Sequence, residues 1–150
     1  MNKLASRLIL ILLLIPAGIL NAGSTELAPL VVEDAWLREA LPNAQVLVGY
    51  MSVENMSRKG MIINSLKSND FAAIMIHDTN MQDGMTRMRE KDNLKIEGRM
   101  RIELMPGGIH LMFMSPKREL KEGDKVEVEM RFDNGTNVPV TFVVKRGTAN

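Results

Sequence analysis

Cysteine is absent from all 150 residues of the chain. Without it no disulfide can brace the fold, so stability must come from packing. Thiolate metal sites are excluded as well, which removes zinc fingers, blue-copper centres and iron–sulfur clusters. Histidine is scarce, with His77 and His110 alone. No Ser-His-Asp neighbourhood is evident, so nucleophilic catalysis has little material. A copper oxidase cycling Cu(II) more often needs three or more nitrogen ligands. Enzymatic function is therefore not expected. Large polar aromatics are limited to Trp36 and Tyr50, both expected to anchor the core with N–H or O–H bonded. Charge of one sign is lacking too. The 19 basic and 18 acidic residues give +1, and removing Lys3 and Arg7 with residues 1–22 leaves 17 against 18, a net of −1. Such a surface gives no electrostatic case for nucleic acid or an anionic membrane.

The long apolar runs of a membrane protein are also missing. Leu8 to Ile15 is unbroken but short, preceded by Lys3 and Arg7 and ended by Pro16. Asn21-Ala22-Gly23 offers small residues for cleavage. Residues 1–22 read as a secretory signal peptide, with no stable membrane insertion after its removal. No cysteine stands near residue 22, so a lipid-modified N-terminus is not expected. Residues 23–150 are expected to form a single domain, long enough for a real core, after a loose lead-in over 23–30.

The remaining sequence alternates in polarity over short segments separated by turn residues. Strands are expected at Val31–Arg38, Ala44–Glu54, Met61–Leu66, Ala72–His77, Thr86–Arg89, Arg99–Leu104, Ile109–Met114, Lys125–Phe132 and Val138–Lys145. Pro139 marks the start of the last as an edge or as lying outside the ladder. Turn signals include Asp83-Gly84, Pro106-Gly107-Gly108 and Asp133-Asn134-Gly135. No stretch carries a 3.6-residue stripe over three turns. The pattern indicates an all-β fold, an antiparallel sandwich or small barrel.

What the chain does have is methionine, 13 in all. Exposed Met oxidises to sulfoxide in an oxidising compartment, so this abundance needs a reason. His77 is followed by ten residues and Met88, then by 21 residues and His110, then by Met112 after one more. This reads His-x10-Met-x21-His-x-Met. Two imidazoles and two thioethers form a soft, uncharged donor set suited to Cu(I). Thioethers do not titrate, so acid is expected to weaken such a site only through the imidazoles, with a reference value of ~6.5. Two given positions are both Met by chance roughly once in 130 trials, so the spacing alone is suggestive.

Alternation places the motif. In Ile109–Met114, the residues Ile109, Leu111 and Phe113 make the better core face, which leaves His110, Met112 and Met114 facing outward. Met88, between Arg87 and Arg89, is not an obvious core residue. His77 ends an apolar run at the mouth of a loop containing Gly84. The site is therefore expected half on a strand and half on a loop, near the surface. Met81, Met85 and Met114 are expected to pack or shield it, and Met51, Met61, Met75, Met100, Met105 and Met130 mostly to pack. Gly107-Gly108 is read as the hairpin turn that places His110.

These residues resemble the periplasmic copper chaperones of the PCu(A)C family. The resemblance rests on the four-residue motif and on flanking segments. These are Ala35-Trp36-Leu37-Arg38, Gly49-Tyr50, Asp83-Gly84-Met85, Met88-Arg89, Gly107 to Met112, Leu120 to Asp124 and Val143-Val144. It implies a cupredoxin-like β-sandwich, a Greek-key barrel, that binds one Cu(I) per chain through His77, Met88, His110 and Met112. It also implies a periplasmic metallochaperone delivering copper by ligand exchange to a copper-accepting protein, such as the subunit that carries the binuclear copper centre of cytochrome oxidase. Some members carry a Met- and His-rich tail for further copper. The sequence given ends at Arg146-Gly147-Thr148-Ala149-Asn150, so no second Cu(II) site is expected. Two other readings stand beside it: a copper-sequestering tolerance protein, which the same ligands would serve, and a metal-free secreted β-sandwich interaction module, which requires the four motif residues to be dispersed in the fold.

Overall fold

The structure is a computed structural model that describes residues 30–82 and 84–147. The expected signal peptide, most of the lead-in, Asp83 and residues 148–150 lie outside the described residues. Among the described residues no helix is long and apolar enough to cross a membrane. Ten strands follow in chain order: β1 (Leu30–Arg38), β2 (Val46–Asn55), β3 (Met61–Lys67), β4 (Phe71–Gln82), β5 (Met85–Lys91), β6 (Leu94–Ile96), β7 (Arg101–Leu104), β8 (Ile109–Pro116), β9 (Lys125–Phe132) and β10 (Asn137–Lys145). Strand β6 has three residues, too few for alternation to reveal, and was not expected. Alternation is cleanest in β9, where Val126, Val128, Met130 and Phe132 are buried and their neighbours are not.

The strands join in the order β5-β4-β8-β2-β1-β10-β9-β3-β6, with β7 paired to the far half of β2. Pairing is antiparallel except between β1 and β10, which run parallel from Trp36 opposite Val143. The expected antiparallel fold therefore holds in every pair but this one. Alternation marks faces but carries no information on strand direction. Pro139 faces β9 on one side, while β1 joins β10 only four residues later, so its missing N–H costs no ladder bond.

The sheet folds back on itself into a β-sandwich. Phe113 on β8 and Phe142 on β10 are three strands apart in the pairing order, a separation of ~14 Å on a flat sheet. Their ring centroids are 5.3 Å apart. The two halves therefore face each other, with Leu37, Ile63, Ile96, Leu111, Met130 and Phe142 fully buried between them. Phe71 stacks edge-on to Phe113 at 5.0 Å and extends this layer.

Two residues show how tight that interior is. Gly49 lies directly opposite both Leu37 and Leu111. A Cβ there would come within 2.5 Å of the Phe113 ring and 2.9 Å of Leu37 Cδ2. Asn55 is fully buried at the end of β2. Its amide donates to the carbonyls of Lys59 (2.8 Å) and Ile96 (3.1 Å), and its oxygen accepts from Ser57 N–H and Oγ–H. One side chain thus ties short β6 to the end of β2, which explains how three residues hold as a strand. Gly49→Ala is expected to destabilise the domain by about 1–3 kcal/mol through overpacking, read as a lower urea midpoint with unchanged m-value.

Candidate metal centre

The site forms on the adjacent strands β5, β4 and β8. Burial of Ile76, Leu111 and Phe113 commits one face of β4 and β8 to the core. The pleat then sends the alternate residues to the other face. On β4 these are Met75, His77 and Thr79, and on β8 they are His110, Met112 and Met114. Register fixes who meets whom: His77 lies opposite His110, Met75 opposite Met112, and Thr79 opposite Met88. All four motif residues therefore share one face of one continuous sheet.

The imidazole rings of His77 and His110 are 6.0 Å apart between centroids. Metal–imidazole bonds are ~2.0–2.1 Å long, so rings at this separation can share one ion. The Nδ1 of His110 is 2.9 Å from the Gly108 carbonyl. A carbonyl can only accept, so Nδ1–H donates and Nε2 keeps its lone pair for a ligand role. The same carbonyl accepts from the Thr79 N–H at 3.2 Å. One backbone oxygen thus orients the ring and pins β4 beside it. Gly107, at φ 79°, gives the turn its left-handed step.

His77 supplies the second observation. Both its ring nitrogens are buried, and neither has a hydrogen-bond partner. An unsatisfied buried polar atom costs ~1–3 kcal/mol, which a bound ion would offset. Among the described residues, no group of three or more His, Cys, Asp or Glu side chains could hold a metal. Thioethers are the other soft donors on this face, from Met75, Met88 and Met112, and they suit a soft ion. Glu90, directly across from His77 on β5, adds an acidic group at the border of this face.

Two expectations about placement are corrected. No long loop contributes: β4 continues past His77 to Gln82, and Met88 lies within β5. Gly84, just before β5, is at φ 73°. The paired extension is invisible to alternation because β5 is solvent-exposed through Glu90. Nor does His110 lie open, at 5% exposure. Tyr50, one step along β2 from the Gly49–Leu111 pair, comes beside it on that face. Tyr50 is itself backed by Trp36 at 4.8 Å and by the Arg38 guanidinium at 5.9 Å.

The methionines divide accordingly. Met51, Met61 and Met130 are buried, as packing requires. Met100 and Met105 are exposed at 54% and 47%, against expectation, as are Met81 and Met85. Met81 shares the site face, whereas Met85 pairs with Gln82 on the opposite one.

Comparison with known proteins follows this geometry. The LpqE-like family model matches residues 30–144. A relative from Leifsonia xyli subsp. xyli, Lxx21020, provisionally named a lipoprotein, is 30% identical over 76% of this chain and 68% of its own length. The copper-bound PCuAC domain from PmoF2 superposes with a TM-score of 0.69 at 21% identity, over 80% of this chain and 95% of that domain. The solution structure of CuI-DR1885 from Deinococcus radiodurans superposes with a TM-score of 0.66 at 26% identity, over 84% of each chain. The chain belongs to the LpqE-like family, which is the PCu(A)C family. Its β-sandwich is the PCuAC fold, as the resemblance implied.

Sequence reasoning missed the Gly108 carbonyl and the position of Met75. The first is a backbone atom and leaves no residue signal. The second could have been found, because Met75 precedes His77 by two and so shares its face. At a pH where the ring is neutral, nitrogen NMR of His110 is expected to show a protonated Nδ1 and a bare Nε2. The reverse tautomer would remove the role given to Gly108.

Proposed function

We propose that this protein is a periplasmic Cu(I) metallochaperone that binds one ion through His77, Met88, His110 and Met112. The observation that carries this reading is the His77–His110 pair: two rings 6.0 Å apart on adjacent strands, one aimed by Gly108, the other with both nitrogens unpartnered. Neutral imidazole and thioether hold Cu(I) without gathering negative charge, and they disfavour Cu(II) and Zn(II) by softness. Family membership and the copper-bound state of the PmoF2 domain support copper as the cargo.

Delivery follows from uneven exposure. His110 is 5% exposed and Met88 is 53% exposed on the outermost strand. An acceptor's ligand meets Met88 first, displaces it, and then draws the ion from the histidines. The step is ligand exchange with no bond made or broken in the chain. A copper-accepting protein such as an oxidase copper-centre subunit is the partner this mode suits. Residues 1–22 support export, which puts the protein where such a subunit faces.

The test is a Cu(I) titration of residues 23–150 against a chromophoric chelator under reductant. One tight equivalent is expected, with His77→Ala and His110→Ala each weakening it at least tenfold. Unchanged competition in both variants would sink the site. Tight binding without transfer to an apo oxidase copper domain would instead favour sequestration.

A further inference from the structure

Met75 lies directly opposite Met112 and two residues before His77. It was read as packing, yet it is only half-buried and sits on the site face rather than in the core. Directly paired side chains start ~5 Å apart, and next neighbours along one face of a strand ~7 Å apart. Met75, His77, His110 and Met112 therefore mark the four corners of one patch on two strands. Met88 lies outside it. It is one strand further out, opposite Thr79, so it and Met112 are separated by two strand intervals and four residues along the chain.

Resting on the copper reading above, we propose that Met75 is a fifth Cu(I) ligand that exchanges with Met88. The ion has an inner set, His77, His110, Met112 and Met75, and an outer set in which Met88 replaces Met75. The histidines belong to both. Met side chains have three rotatable bonds and a polarizable sulfur, so one thioether can leave as another arrives at little cost. The unpartnered nitrogens of His77 lie between the two sets along β4, with Met75 on one side and Thr79, facing Met88, on the other. An acceptor that removes Met88 then meets an ion still held by four donors, which keeps it from escaping to solvent during transfer.

The experiment uses Met75→Leu, Met88→Leu and the double variant, since Leu replaces Met with little change in volume. Three readouts are taken: Cu(I) competition, the sulfur count by X-ray absorption, and the Met methyl resonances on Cu(I) loading. The Met75 methyl is expected to shift on loading. Each single variant should lose about tenfold or less and keep two sulfurs on copper. The double variant should fall to one sulfur and lose well over the product of the single effects, since the two sites couple. A Met75 methyl that does not move, with the double variant binding like Met88→Leu, overturns the proposal while leaving the four-residue site intact. A wild-type chain that takes up no Cu(I) overturns both, and is told apart because it fails before any substitution.

Discussion

The pairing of β4 with β8 is the constraint on which the site depends. A slip of one residue would carry His77 or His110 through the sheet, because side chains alternate with a period of two. What prevents the slip is the core, not the site. Ile76 and Leu111 are directly paired and buried, and Phe113 is wedged between Phe71 and Phe142. Apolar burial of this kind contributes ~1.5–3 kcal/mol per large side chain. The Gly108 carbonyl adds a lock from the other direction, since Thr79 N–H and His110 Nδ1–H both end on it. The core therefore presents the histidines to each other before any ion arrives. That ordering in advance is what lets a site of neutral donors bind without first collapsing a loop.

How much of this was legible in the sequence differs by residue. The strand Ile109–Met114 and its two faces could be read directly, because Leu111 and Phe113 alternate with polar or softer neighbours. The His-x10-Met-x21-His-x-Met spacing could be read too, since it stands apart from the apolar pattern. Pairing could not. Nothing in the residues says that His77 faces His110, or that β1 runs parallel to β10, because periodicity describes one strand at a time. The outer half of β4 was lost for a related reason. Asp78 to Gln82 has no buried face, so backbone pairing, chiefly to β5, makes it a strand. Asn55 was hidden differently. It is a polar residue that is buried because four partners satisfy it, and composition rules place Asn outside.

A chain without cysteine has few ways to hold a soft ion. Thiolates would bind Cu(I) tightly but could also be oxidised into disulfides. Thioethers avoid that fate, at the risk of sulfoxide formation. The structure spreads this risk. Met112 and Met75 are half-buried beside the histidines, whereas Met81, Met85, Met88 and Met105 are exposed. In the proposed site, the exposed thioethers would reach a partner, and the sheltered ones would keep the ion if an exposed one were lost.

Reaching a partner from an edge strand brings its own hazard. β5 ends the sheet, so one row of its backbone N–H and C=O groups is unpaired and could recruit another edge. Its sequence opposes that. Arg87, Arg89 and Lys91 line the face opposite Met88, and Glu90 follows Met88 on the site face. Two copies approaching edge to edge would bring these like charges together before any hydrogen bond formed. The thioether between them carries no charge and is left accessible. The same seven residues thus discourage self-pairing and still expose Met88, the donor that the proposed exchange would displace first. That is why the most exposed strand of the fold can present a thioether without becoming an aggregation site.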